Sequence, residues 1–399
     1  MATQVRHPIW LPVAGAADGR TFAILYSVES LARATVASVV PIQAYALLQS
    51  EQSVSILYTL VGIAGLAATI AMPLAIERFA RRWVYTGGAA FLALGSLMMI
   101  ADTLATQALG MFLRIIGAGA LSITLNLYIM DHIRRQEFVR TESLKLAVST
   151  FAWVAGPTLG VFLYERYGLM AAHGAVAIFA LVLAGLFWWF RMSDNKAIRP
   201  GIIKPQNPLK NIRRFVAQPR LRVAWLIAFG RSCFWTTFFV YGPILMVAGG
   251  EGTLAGGILI SAGNGLLFTA LFWGWLGGRY GARRVMAFAF AAMTVMLLAA
   301  AASGQEWPLL TGALLLCCAF FAITLDALGS SAFLRAVHPF ERPQMTAVYR
   351  TYLDLSDLVP PLFYSIVLAF FGLGAVFGTL AIFTAVCGLI TWRYLPRRF

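Results

Sequence analysis

Charged residues are scarce in this 399-residue chain, where Asp, Glu, Lys and Arg together make up 12%. A soluble domain has roughly 25%. Hydrophobic residues make up 60% and the mean hydropathy is +0.77, more apolar surface than a soluble protein of this length can bury. The composition predicts a polytopic membrane protein and excludes disordered, coiled-coil, collagen-like and disulfide-rich secreted proteins.

Cysteine and histidine are also rare, with four of each. They show neither metal-ligand nor redox spacing. The sequence has no G-x-x-x-x-G-K-[ST] phosphate-binding segment and no paired Asp-rich loop. We therefore expect no metal, no cofactor and no enzymatic activity, with ion gradients rather than a nucleotide as the energy source.

Long apolar stretches dominate what is present. Twelve of them reach the length of about 20 residues that a spanning helix needs, and none alternates as barrel strands do. They lie at about 21–47, 53–76, 83–101, 107–130, 144–164, 169–190, 222–247, 253–277, 284–302, 308–334, 345–371 and 374–394. We expect an all-α membrane protein with twelve transmembrane helices in two pseudo-symmetric six-helix bundles.

The distribution of positive charge predicts the orientation. The net charge is +15, and nearly all Lys and Arg fall in alternate loops, with Arg166 in the others. By the positive-inside rule both termini are cytoplasmic, and short loops suit a bacterial inner membrane. The charge thus follows topology rather than nucleic-acid binding. We divide the chain into an N-terminal bundle (1–190), a basic cytoplasmic linker (191–221) and a C-terminal bundle (222–399).

The two halves share an internal repeat at an offset of about 201 residues. Span 2 is followed by Pro73-Leu-Ala-Ile-Glu-Arg-Phe-Ala-Arg-Arg82, and span 8 runs into Gly274-Trp-Leu-Gly-Gly-Arg-Tyr-Gly-Ala-Arg-Arg284. Both segments are short turns with a cluster of cations at the same place in a six-helix unit. Such repeats are typical of secondary transporters.

These turns resemble the cytoplasmic motif G-x-L-x-D-R-x-G-R-R of the major facilitator superfamily. The second turn fits through Gly274, Leu276, Arg279, Gly281 and Arg283, and departs at Gly278 and Ala282. The first turn keeps Glu77, Arg78, Arg81 and Arg82 but has Pro73 and Ala80 at the glycine positions. The resemblance implies that Glu77, Arg78 and Asp131, with Arg279 in the second turn, form a conformational latch. Alternatively, the arginines only anchor the loops.

Two further segments resemble motifs of the same family. Gly156-Pro157-Thr-Leu-Gly160 is similar to the G-P-x-x-G motif of proton-driven exporters, which implies a bend or sliding surface between the halves. Glycine and proline are frequent in membrane helices in any case. Arg114 begins a segment similar to R-x-x-x-G-x-G, one residue short, whose arginine the family associates with proton transfer.

Ionisable residues inside spans are costly and usually mark function. Glu29 and Arg33 share a face of span 1, because they are four residues apart. Arg33 and Arg231 lie on spans related by the repeat and predict contacts to an anionic substrate, since arginine binds such groups bidentately. The alternative is that Glu29 neutralises a structural Arg33.

Span 11 carries Arg350, Asp354 and Asp357 on one stripe. Shielding from water favours the protonated form of a carboxylate, so Asp354 and Asp357 are candidate proton carriers. Together with Glu29 and Arg114 they form the predicted proton-coupling set. Asp326 lies at a similar depth to Arg350, and we expect those two to form a structural salt bridge.

Polar and aromatic side chains within the spans complete the predicted binding site: Tyr26, Gln43, Asn126, Trp153, Trp235, Asn264 and Tyr349. The sequence predicts a monomeric, proton-coupled secondary transporter that exports a small organic molecule by alternating access. Two alternatives stay open. One is uptake or exchange of an organic anion, and the other is a sensor or assembly factor that transports nothing.

Overall fold

The computed structural model describes residues 19–133, 137–190, 208–337 and 342–396. These residues form helices and connecting turns, without a β-strand among them. The first seven helices are α1 (Gly19–Thr35), α2 (Val39–Leu48), α3 (Glu51–Arg78), α4 (Arg81–Met99), α5 (Leu104–His132), α6 (Phe138–Tyr167) and α7 (Leu169–Trp189). The second set is α8 (Pro208–Ala217), α9 (Pro219–Ala248), α10 (Thr253–Gly265), α11 (Ala270–Tyr280), α12 (Ala282–Ser303), α13 (Pro308–Ala336), α14 (Arg342–Tyr349), α15 (Thr351–Val367) and α16 (Gly374–Tyr394).

Ten helical stretches in the described ranges are long and apolar enough to cross a membrane. The pairs α1–α2 and α10–α11 each count as one stretch. Helices α4 and α15 fall short, because α4 begins with two arginines and α15 has only 17 residues, two of them aspartates. With these two helices, which occupy the positions of predicted spans 3 and 11, the count reaches the predicted twelve.

Caps and prolines in the sequence fix where several helices begin. The Ser50 side chain accepts a hydrogen bond from the Ser53 amide at 3.2 Å at the start of α3. Thr103 and Thr106 form a reciprocal capping box at the start of α5. Proline occupies the first helical position of α9 and α13, where its missing N–H costs nothing.

The two motif turns differ in backbone conformation. Gly281, between α11 and α12, has a φ of 87°, which a side chain disfavours. Ala80, at the equivalent position between α3 and α4, has a φ of −60° and an extended ψ. The first turn therefore needs no glycine there, which explains why the motif departs at Ala80.

Span 1 is broken into α1 and α2 by a turn over residues 36–38. Pro41 lies in the first turn of α2. Its ring lacks an N–H and clashes with the carbonyl four residues earlier in a continuous helix. The break therefore lies about one turn before Pro41, where the proline disfavours a continuous helix.

The two bundles pack by the same pattern. In the first bundle, α4 packs on α5 and α7, and α1 packs on α6 and α7. In the second bundle, α12 packs on α13 and α16, and α9 packs on α15 and α16. These pairs correspond under the repeat. The bundles meet where α3 packs on α15 and where α6 packs on α10, which are again equivalent pairs.

The end of the bundles where α1 begins and α16 ends is the linker face, and the other end is the opposite face. Helix α8 lies within the predicted linker, and α9 begins at Pro219, three residues before the predicted span. Residues 191–207 lie outside the described part, so the domain division stays a prediction.

Helix α6 approaches α1 very closely at its glycines. A Cβ built at Gly156 would meet Ala34, and one at Gly160 would overlap the carbonyl oxygen of Thr35. The opposite side of the same segment faces the second bundle, where Pro157 and Thr158 contact α10. The segment thus packs on both α1 and the partner bundle, rather than between the halves alone.

Replacing Gly160 by alanine should destabilise the protein by about 1–3 kcal/mol, because the new methyl overlaps backbone that no rotamer change can move. Thermal unfolding of the purified protein would measure the effect. Gly185→Ala on α7 is the matched control, since nothing lies within 4 Å of its built Cβ. An equal or higher unfolding temperature for Gly160→Ala would contradict the close approach of α1 to α6.

Candidate functional site

A cavity of about 480 Å³ lies between the two bundles, in the range of small-molecule sites. Both bundles contribute to its wall, so a bound molecule would contact both. Its polar and aromatic lining residues are Arg33, Tyr58, Arg114, Trp153, Arg231, Ser232, Trp235, Thr236, Phe239, Ser356 and Asp357. Six of the predicted site residues are among them: Arg33, Arg114, Trp153, Arg231, Trp235 and Asp357.

Arg33 is only loosely paired. Its Nη1 lies 3.5 Å from Oε1 of Glu29, one turn back on α1. Glu29 is fully buried, and neither of its carboxylate oxygens accepts a hydrogen bond. The Arg33 side chain is 37% exposed. The guanidinium therefore keeps donors available to the cavity while Glu29 lies behind it.

Arg114 has no carboxylate partner among the described residues. Its Nε is buried without a hydrogen-bond acceptor, and the groups in electrostatic range include Tyr58, His173 and a second cation, Arg33. Arg33 and Arg114 share the cavity wall, and of the two only Arg33 has a carboxylate within 4 Å, that of Glu29. This incomplete pairing favours an anion at that wall.

Arg231 is held much more firmly, by residues of the second bundle. Its Nη1 donates to Oδ1 of Asp326 at 2.6 Å, and Nη2 donates to the hydroxyls of Ser232 at 3.0 Å and Tyr352 at 3.3 Å. Trp235 Nε1 donates to the other Asp326 oxygen at 2.9 Å. The cluster neutralises Arg231 and fixes its position at the cavity wall.

The predicted salt bridge between Asp326 and Arg350 is wrong. Asp326 pairs with Arg231 instead, and Arg350 is exposed at the junction of α14 and α15. Similar depth in the membrane had suggested the pair. The rotation of α13 about its axis turns Asp326 toward α9 rather than toward Arg350, and depth alone does not specify that rotation.

Asp357 is the carboxylate that lines the cavity. The Thr236 hydroxyl on α9 donates to its Oδ1 at 3.0 Å, and Arg33 lies within electrostatic range. Asp354, one turn earlier on α15, is half-buried and is not part of the lining. The structure thus separates two aspartates that the sequence treats as equivalent.

Lys145 is a buried cation that the sequence analysis missed. It is 6% exposed on α6, lies within electrostatic range of Glu29, and donates to Asn126 Oδ1 at 3.4 Å. The predicted span began at residue 144, which placed Lys145 at the membrane surface. Helix α6 begins at Phe138, so Lys145 lies two turns inside it.

Aromatic rings form the apolar part of the cavity wall. Trp153 of the first bundle meets Phe239 of the second edge to face, with ring centroids 5.5 Å apart. Trp235 packs against Phe239 at 6.0 Å. A ligand with a flat or apolar portion would find these rings beside the arginines.

The other predicted binding residues lie outside the cavity lining. Tyr26 contacts Lys145, whose Nζ lies 4.8 Å from the ring centroid. The Gln43 Nε2 donates to the Met99 carbonyl at 2.8 Å, and its Oε1 accepts from His173 Nε2 at 3.0 Å.

Asn264 and Tyr349 are likewise engaged elsewhere. The Asn264 amide donates to the Ile260 carbonyl of its own helix at 2.9 Å. Tyr349 stacks on Phe333 at 4.2 Å. Asn126 reaches the site only indirectly, through Lys145.

The predicted latch is only partly visible. Glu77 and Asp131 lie on α3 and α5, but their side chains are outside the described part of the structure. Arg78 is exposed at the end of α3. Arg279 lies over the rings of Trp275 and Tyr280, 5.5 and 5.6 Å from their centroids. The latch stays a prediction.

Hydrogen bonds join the two bundles toward the opposite face. Ser55 and Tyr241 share a hydrogen bond of 2.7 Å, and Gln305 donates to Glu51 at 2.9 Å. The Glu165 carboxylate accepts from Thr253 and from the amide of the following residue, Leu254, at the start of α10. These contacts hold the two bundles together on that side.

A membrane-spanning helical protein with two repeated bundles around a shared polar cavity is a membrane transporter in architecture. A sequence model of the Major Facilitator Superfamily matches residues 22–268 and 259–399. The chain belongs to this family, as the motif turns indicated. No curated protein sequence matches it.

Solved transporter structures share the fold at low sequence identity. The nucleoside transporter NupG aligns with a TM-score of 0.71 at 12% identity, over 94% of this chain and 99% of that one. The POT family transporter PepTSo gives 0.73 at 12%, over 94% and 97%. A peptide transporter POT in complex with sulfate gives 0.73 at 14%, over 95% and 94%.

Replacing Asp326 by leucine should destabilise the protein by about 3–5 kcal/mol, because Arg231 then keeps a buried charge without its partner. Thermal unfolding in detergent would measure it. The double variant Arg231→Met/Asp326→Leu should recover most of the loss, since both charges are gone. If Arg350→Met rescued Asp326→Leu and Arg231→Met did not, the pairing described above would be refuted.

Proposed function

We propose that the protein is a proton-coupled secondary transporter that moves a small organic anion through the central cavity by alternating access. The observation that supports this most strongly is Arg114, a cavity-lining cation without a carboxylate partner among the described residues, next to the loosely paired Arg33. A bound anion would supply the missing negative charge. The aromatic walls would hold the apolar part of the same molecule.

The substrate class follows from the charges. A lipophilic cation, the substrate expected of a drug exporter, would be repelled by the guanidinium groups of Arg33 and Arg114. A carboxylate or phosphate would be attracted by the same two guanidinium groups. The geometry therefore favours the organic-anion alternative over the broader small-molecule prediction. The nucleoside and peptide transporters that share the fold also handle small organic molecules.

Alternating access is supported by the symmetry of the interface. The bundles touch through two equivalent helix pairs, α3 with α15 and α6 with α10. Rocking one bundle against the other would open one face as it closes the other. The hydrogen bonds of Ser55 and Glu51 to the second bundle would break in that movement, each at a net cost of about 1 kcal/mol.

Proton coupling is assigned to Asp357, with Glu29 behind Arg33 as the second carboxylate. Asp357 lies in the cavity within range of Arg33, so a proton on Asp357 would change how strongly Arg33 attracts an anion. Glu29 without hydrogen bonds is suited to carry a proton while buried. Arg114 keeps its predicted place in this set through its nearness to Arg33.

The orientation and direction are proposals that rest on sequence. By the positive-inside rule the linker face would lie in the cytoplasm of a bacterial inner membrane, and the opposite face, where hydrogen bonds join the bundles, would be external. The resemblance of Gly156-Pro157 to the exporter motif favours export. Uptake or exchange of the same anion would use the same cavity.

Replacing Arg114 by glutamine should weaken binding of an organic anion by about ten- to hundredfold, because a charge-assisted hydrogen bond of roughly 1.5–3 kcal/mol is lost. The measurement is a thermal-shift titration of the purified protein over a panel of carboxylates, organic phosphates and lipophilic cations. Arg166→Gln, an exposed arginine at the opposite face, is the control. Stabilisation by cations alone would refute the anion proposal.

Replacing Asp357 by asparagine should abolish accumulation of substrate driven by a pH gradient while leaving substrate exchange intact, because the variant cannot load a proton at that site. Both are measured in proteoliposomes. The matched control is Asp354→Asn, which lies outside the cavity lining and should keep gradient-driven transport. The assignment fails if Asp357→Asn still accumulates substrate, or if only Asp354→Asn loses the ability.

A further inference from the structure

A second cavity of about 360 Å³ lies on the membrane-facing side of the second bundle, between α9, α15 and α16. We name it the outer crevice. Its floor contains Cys233, Tyr364 and Leu380, all at most 3% exposed, while Phe363 and Ile382 on its rim are more than half exposed. The crevice therefore enters the bundle from outside, on the side away from the central cavity.

The polar groups that border the outer crevice already have partners. The Tyr364 hydroxyl shares a hydrogen bond of 2.9 Å with Thr237, and the Thr379 hydroxyl donates to the Val376 carbonyl at 2.9 Å. Apolar cavities of this kind exclude water and take apolar ligands.

The depth of the crevice determines what can reach it. It follows α16 from Thr379 to Val386, a rise of about 10 Å, and begins five residues inside that helix. Its open side thus faces the hydrocarbon core of the bilayer rather than the headgroups. Lipid tails are the apolar groups present at that depth.

We propose that the outer crevice binds one acyl chain of a bilayer phospholipid. The fold alone does not demand this gap. In the first bundle the equivalent helices α6 and α7 pack on each other, whereas α15 scarcely touches α16. An empty gap would forfeit dispersion contacts on both helices, and an acyl chain restores them.

The bound chain lies behind the central cavity. Pro360 borders the outer crevice, and Pro360 and Pro361 remove the helical hydrogen bonds of the Ser356 and Asp357 carbonyls. Those two residues line the central cavity. The acyl chain therefore supports α15 from behind at the point where its own backbone bonding is weakest. This inference depends on membrane insertion and not on the proposed substrate.

The test uses the full-length protein in nanodiscs that contain phosphatidylcholine with a diazirine at mid-chain. After photolysis, peptide mapping should find label on the floor residues Cys233 and Leu380. Thr379→Trp fills the crevice and should lose that label. Leu389→Trp adds the same bulk to a 69% exposed position of α16 outside the crevice and should keep it.

A second variant and a second measurement distinguish the loss of acyl-chain binding from misfolding of the variant. Ile382→Trp covers the rim without entering the packed floor and should also lose floor labelling. Long-chain phosphatidylcholine should raise the unfolding temperature of the wild type and of Leu389→Trp more than that of Thr379→Trp. The proposal is overturned if the floor residues are unlabelled in the wild type, or if both crevice variants are labelled like it.

Discussion

The cost of holding a charge in a medium of low dielectric organises this protein. Three arginines lie well inside the membrane-spanning part, and each meets that cost differently. Arg231 donates to one carboxylate and two hydroxyls, which fix its side chain in place. Arg33 has a carboxylate at 3.5 Å. Arg114 has none among the described residues and lies at the cavity wall. The cavity thus lies where charges are incompletely neutralised, and the proposed affinity for an anion rests on that feature.

The helices are irregular where they border this cavity, and helices bend most easily at such irregular positions. Span 1 breaks at residues 36–38, and Val36 and Ala37 line the cavity. Helix α15 carries two prolines directly after the lining aspartate. Breaks free backbone groups and let a helix bend at low cost. By contrast, the Gly160 contact ties α1 to α6 within one bundle, so the proposed rocking would move these two helices together.

Particular residues show how far the sequence predicts the site. Arg33, Trp153, Arg231 and Asp357, which the sequence singled out as ionisable or aromatic residues within spans, all line the cavity. Asp326 was assigned the wrong partner, since several helices present charges at similar depths. Lys145 was missed because it is the second residue of the predicted span, where a lysine is expected to face the membrane surface. Gln43 was expected at the cavity and instead bonds with His173 and Asp102 between α2, α7 and the end of α4.

The sequence by itself determined the membrane class, the spans and the family, because hydropathy over about 20 residues and a turn motif are local properties that need no knowledge of neighbours. Only the tertiary structure decided which arginine is paired and which faces the cavity. Those outcomes depend on the rotation of each helix and on the helices it meets. Contacts between residues such as Arg231 and Asp326, far apart in sequence, set both of these.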